Sequence, residues 1–238
     1  MFDAIRRVRI SEQVAESIRR TIIGGRVTPG DRLPSERDLA AQFGVNRASV
    51  REALKILEQD KLVAVHHGGG ADVIDFWSEA GLDLLPALLF DGERLNERLV
   101  DELHQARSVF CREMARLGAE RASPELLDQL ADVLRRWETT AETDAIQQLD
   151  FEFFHLLSWG CGNKVFVLMM NMVHDVYFVR RGLLQRYYQN TERLLSLMRE
   201  LVAALRAGDP ERAVATVDEL FGPTQPGSSP LQPGPQER

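Results

Sequence analysis

Cysteine, lysine and long apolar runs are scarce in this 238-residue chain, and each shortage excludes something. The two cysteines, Cys111 and Cys161, stand far apart and match no metal or redox spacing, so they read as small buried apolar residues. Lysine occurs only at Lys55, Lys61 and Lys164, which leaves little room for lysine-based chemistry. No apolar run approaches the roughly 20 residues of a membrane span. The opening MFDAIRRVRI lacks the apolar core of a secretory signal, so a cytoplasmic protein with no membrane partner is expected. Gly-rich phosphate loops, nucleophile elbows and metalloprotease motifs are missing too. No enzyme is therefore expected, no catalytic residue is nominated and no cofactor is implied.

Charge is present but uneven. The net charge is −7, yet residues 1–75 carry 12 Lys/Arg against 11 Asp/Glu, while the remainder carries 17 against 25. The overall acidity hides two parts that face different partners.

The first part is punctuated like a DNA reader. SEQVAESIRRTIIGG places Val14, Ile18, Ile22 and Ile23 at helical spacing and stops at Gly24-Gly25. VTPGDRLP then turns, and Ser35 caps a second helix that ends at Gly44. Asn46 caps a third, RASVREALKILEQD, with Val50, Ala53, Leu54 and Leu57 as its inward stripe. Two short helices joined by a Gly-containing turn form a helix-turn-helix. LVAVHHGGGADVID alternates, breaks at three glycines and resumes, as a hairpin wing does. Arg47 and Arg51 are placed to read guanine, because the arginine fork spans O6 and N7 in the major groove.

From Phe76 the pattern is helical, with expected helices at 78–90, 94–121, 124–142, 145–160, 163–188, 190–207 and 210–221. The fold class is mainly α: an N-terminal winged helix-turn-helix over 1–75, then an all-α antiparallel bundle over 76–221. The tail, residues 222–238, is rich in Pro, Gly, Ser and Gln with one large apolar residue after Phe221, Leu231, and is expected to be disordered.

The run from Arg26 to Gly70 resembles the winged helix of GntR-family bacterial transcription regulators in order and spacing. DFWSEAGLDLL after the wing, LDFEFF and the helix break GCGN resemble the FadR branch, whose fatty-acid-metabolism regulators respond to acyl-CoA. The resemblance implies a homodimer on a palindromic operator of double-stranded DNA. Arg37 and Arg47 would contact bases or groove, while Asn46, Ser49 and Arg51 would approach backbone or bases. His67 and Gly68 at the wing tip would enter the minor groove. Ala48 stands where the family often has threonine.

Many members of this branch hold a divalent metal with one Asp and three His. Here Phe151 stands four residues before His155, Asp150 is one residue out of phase, and Met198 and Leu220 hold the places of two later histidines. No metal ligand is nominated, and a small organic effector, acyl-CoA or another metabolite, is expected to modulate DNA affinity. The Phe- and Met-rich stretch from Phe151 to Tyr188 suits an acyl chain, although ordinary core packing explains such residues equally well. Arg107, Tyr177 and Tyr187 are the polar candidates. Arg107 falls in an apolar stretch and needs an anionic partner, either a ligand or an Asp or Glu. A metal-dependent sensor of a small carboxylate and a constitutive DNA binder without effector are the alternatives.

Overall fold

Ser35, Asn46, Ser123, Asn190 and Asp209 each precede a helix, and each side chain accepts a hydrogen bond from the backbone N–H three residues on. These bonds satisfy donors that the first turn leaves without partners, and they fix where the helices start. The computed structural model describes residues 9–66, 70–91, 94–178, 188 and 190–222. It divides into two compact units, Met1–Asn96 and Glu97–Arg238.

The first unit runs α1 (Ile10–Ile23), α2 (Glu36–Phe43), α3 (Arg47–Gln59), β1 (Val63–His66), β2 (Gly70–Val73), α4 (Phe76–Glu79), a 3₁₀ turn (Leu82–Leu84), α5 (Leu85–Leu88), β3 (Phe90–Asp91) and β4 (Arg94–Leu95). Gly44 ends α2 in the left-handed region, at φ 64°, so the chain reverses sharply into α3. β1 and β2 pair antiparallel, from Val63 with Val73 to His66 with Gly70. The Leu33 N–H donates to the Ala71 carbonyl at 2.8 Å, which lays residues 31–33 against the free edge of β2. Val14, Ile18 and Ile22 of α1 meet Leu39 of α2 and the expected stripe of α3 in one core, closed by Leu62, Val63, Ala71 and Val73.

The helix expected at 78–90 is broken. Gly81 is extended and Pro86 stands in the first turn of α5, so the stretch becomes three short pieces. Leu84 is buried in the first unit's core, with Phe76, Ala80, Ala87 and Leu88 packed on it, so residues 76–96 group with that unit.

The second unit is helical: α6 (Glu97–Arg121), α7 (Pro124–Glu138), α8 (Thr143–Gly160), α9 (Lys164–Phe178), α10 (Thr191–Ala207) and α11 (Pro210–Phe221). Helix α6 packs against α8, α10 and α11, while α7 covers α8 and α10. A Cβ on Gly118 of α6 would lie 2.7 Å from Leu157 Cδ1 and 3.2 Å from Leu205 Cδ2, so the missing side chain sets how closely α8 and α10 approach. Met114, Leu130, Phe153, Leu157, Met170 and Leu201 are fully buried in the helical core. No helix is long and apolar enough to cross a membrane among the described residues. Residues 223–238, nearly all of the expected disordered tail, lie outside the described residues.

Candidate DNA interface and effector cavity

At the start of α3 the Asn46 Oδ1 accepts from the Ser49 N–H at 2.8 Å, so this atom of Asn46 serves the helix itself. Arg47 and Arg51, one turn apart, lie on one exposed face. Beneath them sits Glu36, the first residue of α2, only 5% exposed. Arg51 donates from Nε to Glu36 Oε1 at 3.0 Å and from Nη2 to Oε2 at 2.8 Å, and Arg47 Nη2 lies 3.9 Å from Oε2. The Arg51 hydrogen bonds hold the Glu36 carboxyl below the usual carboxylate range. Arg37, on the next position of α2, is 81% exposed and leans loosely on Asp38 at 3.4 Å. In the wing, His66 Nε2 and Asp72 Oδ2 are 2.9 Å apart. His67 and Gly68 lie outside the described residues.

The second unit contains a cavity of about 520 Å³. Phe154, Leu197, Met198, Leu220 and Phe221 supply its apolar wall, and Asn190 and Arg193 stand among its polar lining. Arg107, buried at 4% exposure, donates from Nη2 to Asp150 Oδ2 at 2.7 Å, and the Tyr188 hydroxyl donates to the same oxygen at 2.8 Å. The guanidinium also lies 5.0 Å from the ring centres of Phe154 and Phe221, within reach of cation–π attraction. One turn further along α6, burial pushes the Cys111 thiol up to about 12.

The open question of Arg107's partner is answered by Asp150, a carboxylate of the chain. Tyr188 is adjacent to the expected Tyr187 but was not singled out; Tyr187 and the Tyr177 side chain lie outside the described residues. The expected helical phase of α8 needs correction. Asp150 and Phe154, four apart, face the cavity together with Met198 and Leu220, whereas Phe151 does not. Phe151 instead packs its ring on His155 and His174, at 5.6 and 5.2 Å between centres, and His155 Nε2 is 3.1 Å from Asn171 Oδ1. Asp150 is already held by an arginine and a tyrosine and faces a thioether and a leucine, and although His104 and Glu219 also line the cavity, no three His, Cys, Asp or Glu side chains among the described residues come together to hold a divalent cation.

Residues 10–73 match the family of bacterial regulatory proteins of the gntR type, and residues 102–222 match the FCD domain. The chain belongs to the GntR family. It is 36% identical over 212 residues to the HTH-type transcriptional regulator Mce2R of Mycobacterium tuberculosis, covering 89% of this chain and 88% of that protein. It is 32% identical to the fatty acid metabolism regulator protein of Cronobacter sakazakii over 181 residues, covering 74% and 72%. The solved structure of Lar, which controls expression of the Listeria monocytogenes agr system, superposes with a TM-score of 0.53 at 18% identity, over 93% of this chain and 94% of that one, a likeness of fold.

As a GntR-family transcription regulator the protein pairs a DNA-binding helix-turn-helix with an effector-binding FCD domain, and it is not an enzyme. Asp150 and Tyr188, which hold the expected Arg107 in the FCD domain, and Glu36 in the DNA-binding domain are the residues that sequence reading missed. A signal for Glu36 was present: SER opens α2 with an acid flanked by the cap and by an exposed arginine. Nothing local marks Asp150, because its partner lies 43 positions away.

Proposed function

We propose that this GntR-family regulator acts in the cytoplasm as a homodimer on a palindromic operator, and that a long-chain acyl-CoA bound in the FCD cavity lowers its affinity for that DNA. Arg37, Arg47 and Arg51 supply base or groove contacts, Asn46 and Ser49 approach the backbone, and His67 and Gly68 enter the minor groove. A two-fold protein on a two-fold site doubles a contact area that a single winged helix leaves small.

The observation that carries the effector reading is the cavity. Its wall is apolar, its one buried cation is already neutralised by Asp150, and the exposed Arg193 has no ion-pair partner among the described residues. Such a cavity accepts an acyl chain inside and an anionic group at Arg193. A whole acyl-CoA is larger than about 520 Å³, so its nucleotide stays outside. The name of the relative from Cronobacter sakazakii points the same way.

The test uses a labelled duplex selected by the protein from a randomised library. Acyl-CoAs of several chain lengths are titrated into the complex. Release that strengthens with chain length supports the reading. No release at tens of micromolar, with no heat of binding by calorimetry, rejects acyl-CoA and leaves the DNA-binding function standing.

A further inference from the structure

Glu36 sits where a carboxylate is costly twice over. It is 5% exposed, and a buried acid needs compensation. It also lies under the helix that meets a polyanion, where every negative charge opposes binding. The structure nevertheless aims it at two arginines of the recognition helix, with bonds of 3.0 and 2.8 Å to Arg51 and an approach of 3.9 Å to Arg47.

The geometry of the Arg51 pair matters more than its existence. A guanidinium has two forks, one formed by Nε with Nη2 and one by Nη1 with Nη2. Glu36 takes the first fork with both carboxylate oxygens. The Arg51 side chain is still 59% exposed, so the second fork stays open. That second fork is the end-on pair that spans O6 and N7 of a guanine. Held by two bonds, the side chain loses little further freedom when it meets a base.

We infer that Glu36 is a positioning residue for sequence recognition: it presets the Arg51 fork, and draws Arg47 beside it, so that base reading follows docking without a search among rotamers. This rests on the reading that Arg47 and Arg51 contact DNA. The ligand of the preset fork is a guanine edge in the major groove.

Positioning and plain electrostatics predict effects of opposite sign at Glu36. Removing an acid near DNA raises affinity for every duplex alike. Removing a positioning acid lowers affinity for the chosen sequence while leaving or raising affinity for others. The probes are a duplex selected from a randomised library by the wild-type protein and a scrambled duplex of the same length and composition, both at one fixed salt concentration.

Glu36→Gln, nearly isosteric, is expected to bind the selected duplex about tenfold or more weakly, the scale of one bidentate base contact. Its affinity for the scrambled duplex should be unchanged or higher, and its preference at one guanine should be flattened. Equal shifts on both duplexes overturn the inference. Should Glu36→Gln fail to fold by circular dichroism, Arg51→Lys keeps the charge and removes the forks. Discrimination by Arg51→Lys equal to wild type then overturns it. Arg51→Ala separates the two failures: discrimination lost in Arg51→Ala but kept in Glu36→Gln rejects positioning alone, while discrimination kept in both rejects the base contact itself.

Discussion

Arg107 of α6 and Asp150 of α8 form a 2.7 Å ion pair inside the FCD domain, and the Tyr188 hydroxyl completes the coordination of the carboxylate from the segment before α10. The pair and Tyr188 join three parts of the domain in the lining of its cavity. Neither charge can be removed singly without leaving the other buried.

Asp150→Ala is accordingly expected to cost about 3–5 kcal/mol of stability, the scale for an orphaned buried charge. The double variant Arg107→Met/Asp150→Leu should recover most of that loss. Urea denaturation of the four proteins checks this, and an additive double variant would show that the two side chains do not interact.

Acid should act on the DNA-binding domain through Glu36. Its carboxyl is held below its ordinary value of 4.5 by Arg51, so its contribution is complete above that value and is lost as pH falls through the lower folded-state value. The melting-temperature gap between wild type and Glu36→Gln should be constant near neutrality and close below pH 4.5. A gap that widens in acid contradicts the pairing.

Cys111 should be inert while the protein is folded. Its thiol is buried and pushed up to about 12, so almost no thiolate exists at pH 8. Alkylation by iodoacetamide, followed by peptide mass spectrometry, is expected to modify Cys111 only at the rate of unfolding. Rapid modification of native protein would require an open route to α6.

Arg47→Ala should lose specific binding with the fold retained. A bidentate guanine contact is worth about 1–3 kcal/mol per half-site. Fluorescence anisotropy at several salt concentrations checks it. A weakening that is equal for selected and scrambled duplexes would reassign Arg47 to the phosphate backbone.

Local chemistry is what made much of this molecule legible. Ser35 and Asn46 announce α2 and α3 through their caps, Gly44 announces the turn, and the stripe Val50, Ala53, Leu54, Leu57 is buried as its period requires. Long-range pairing was not legible. Arg107 advertises a need without naming Asp150, and Arg51 reads as a free DNA contact because its tie to Glu36 crosses 15 positions. The helix expected at 78–90 failed for a local reason given too little weight, since Gly81 and Pro86 each interrupt a helix. On α8, one residue of phase separates the expected pair Phe151 and His155 from the pair that lines the cavity, Asp150 and Phe154.

Helix α6 is about 37 Å long at 1.5 Å per residue. In its first half His104 and Arg107 line the cavity, and at its C-terminal end Arg121 donates from Nη1 to the Cys161 carbonyl at 3.0 Å, clamping the corner between α8 and α9. A helix held at two points carries load from one to the other. A ligand that shifts α6 at the cavity would load the Arg121 clamp, and amide exchange at Gly162 and Asn163 would register it.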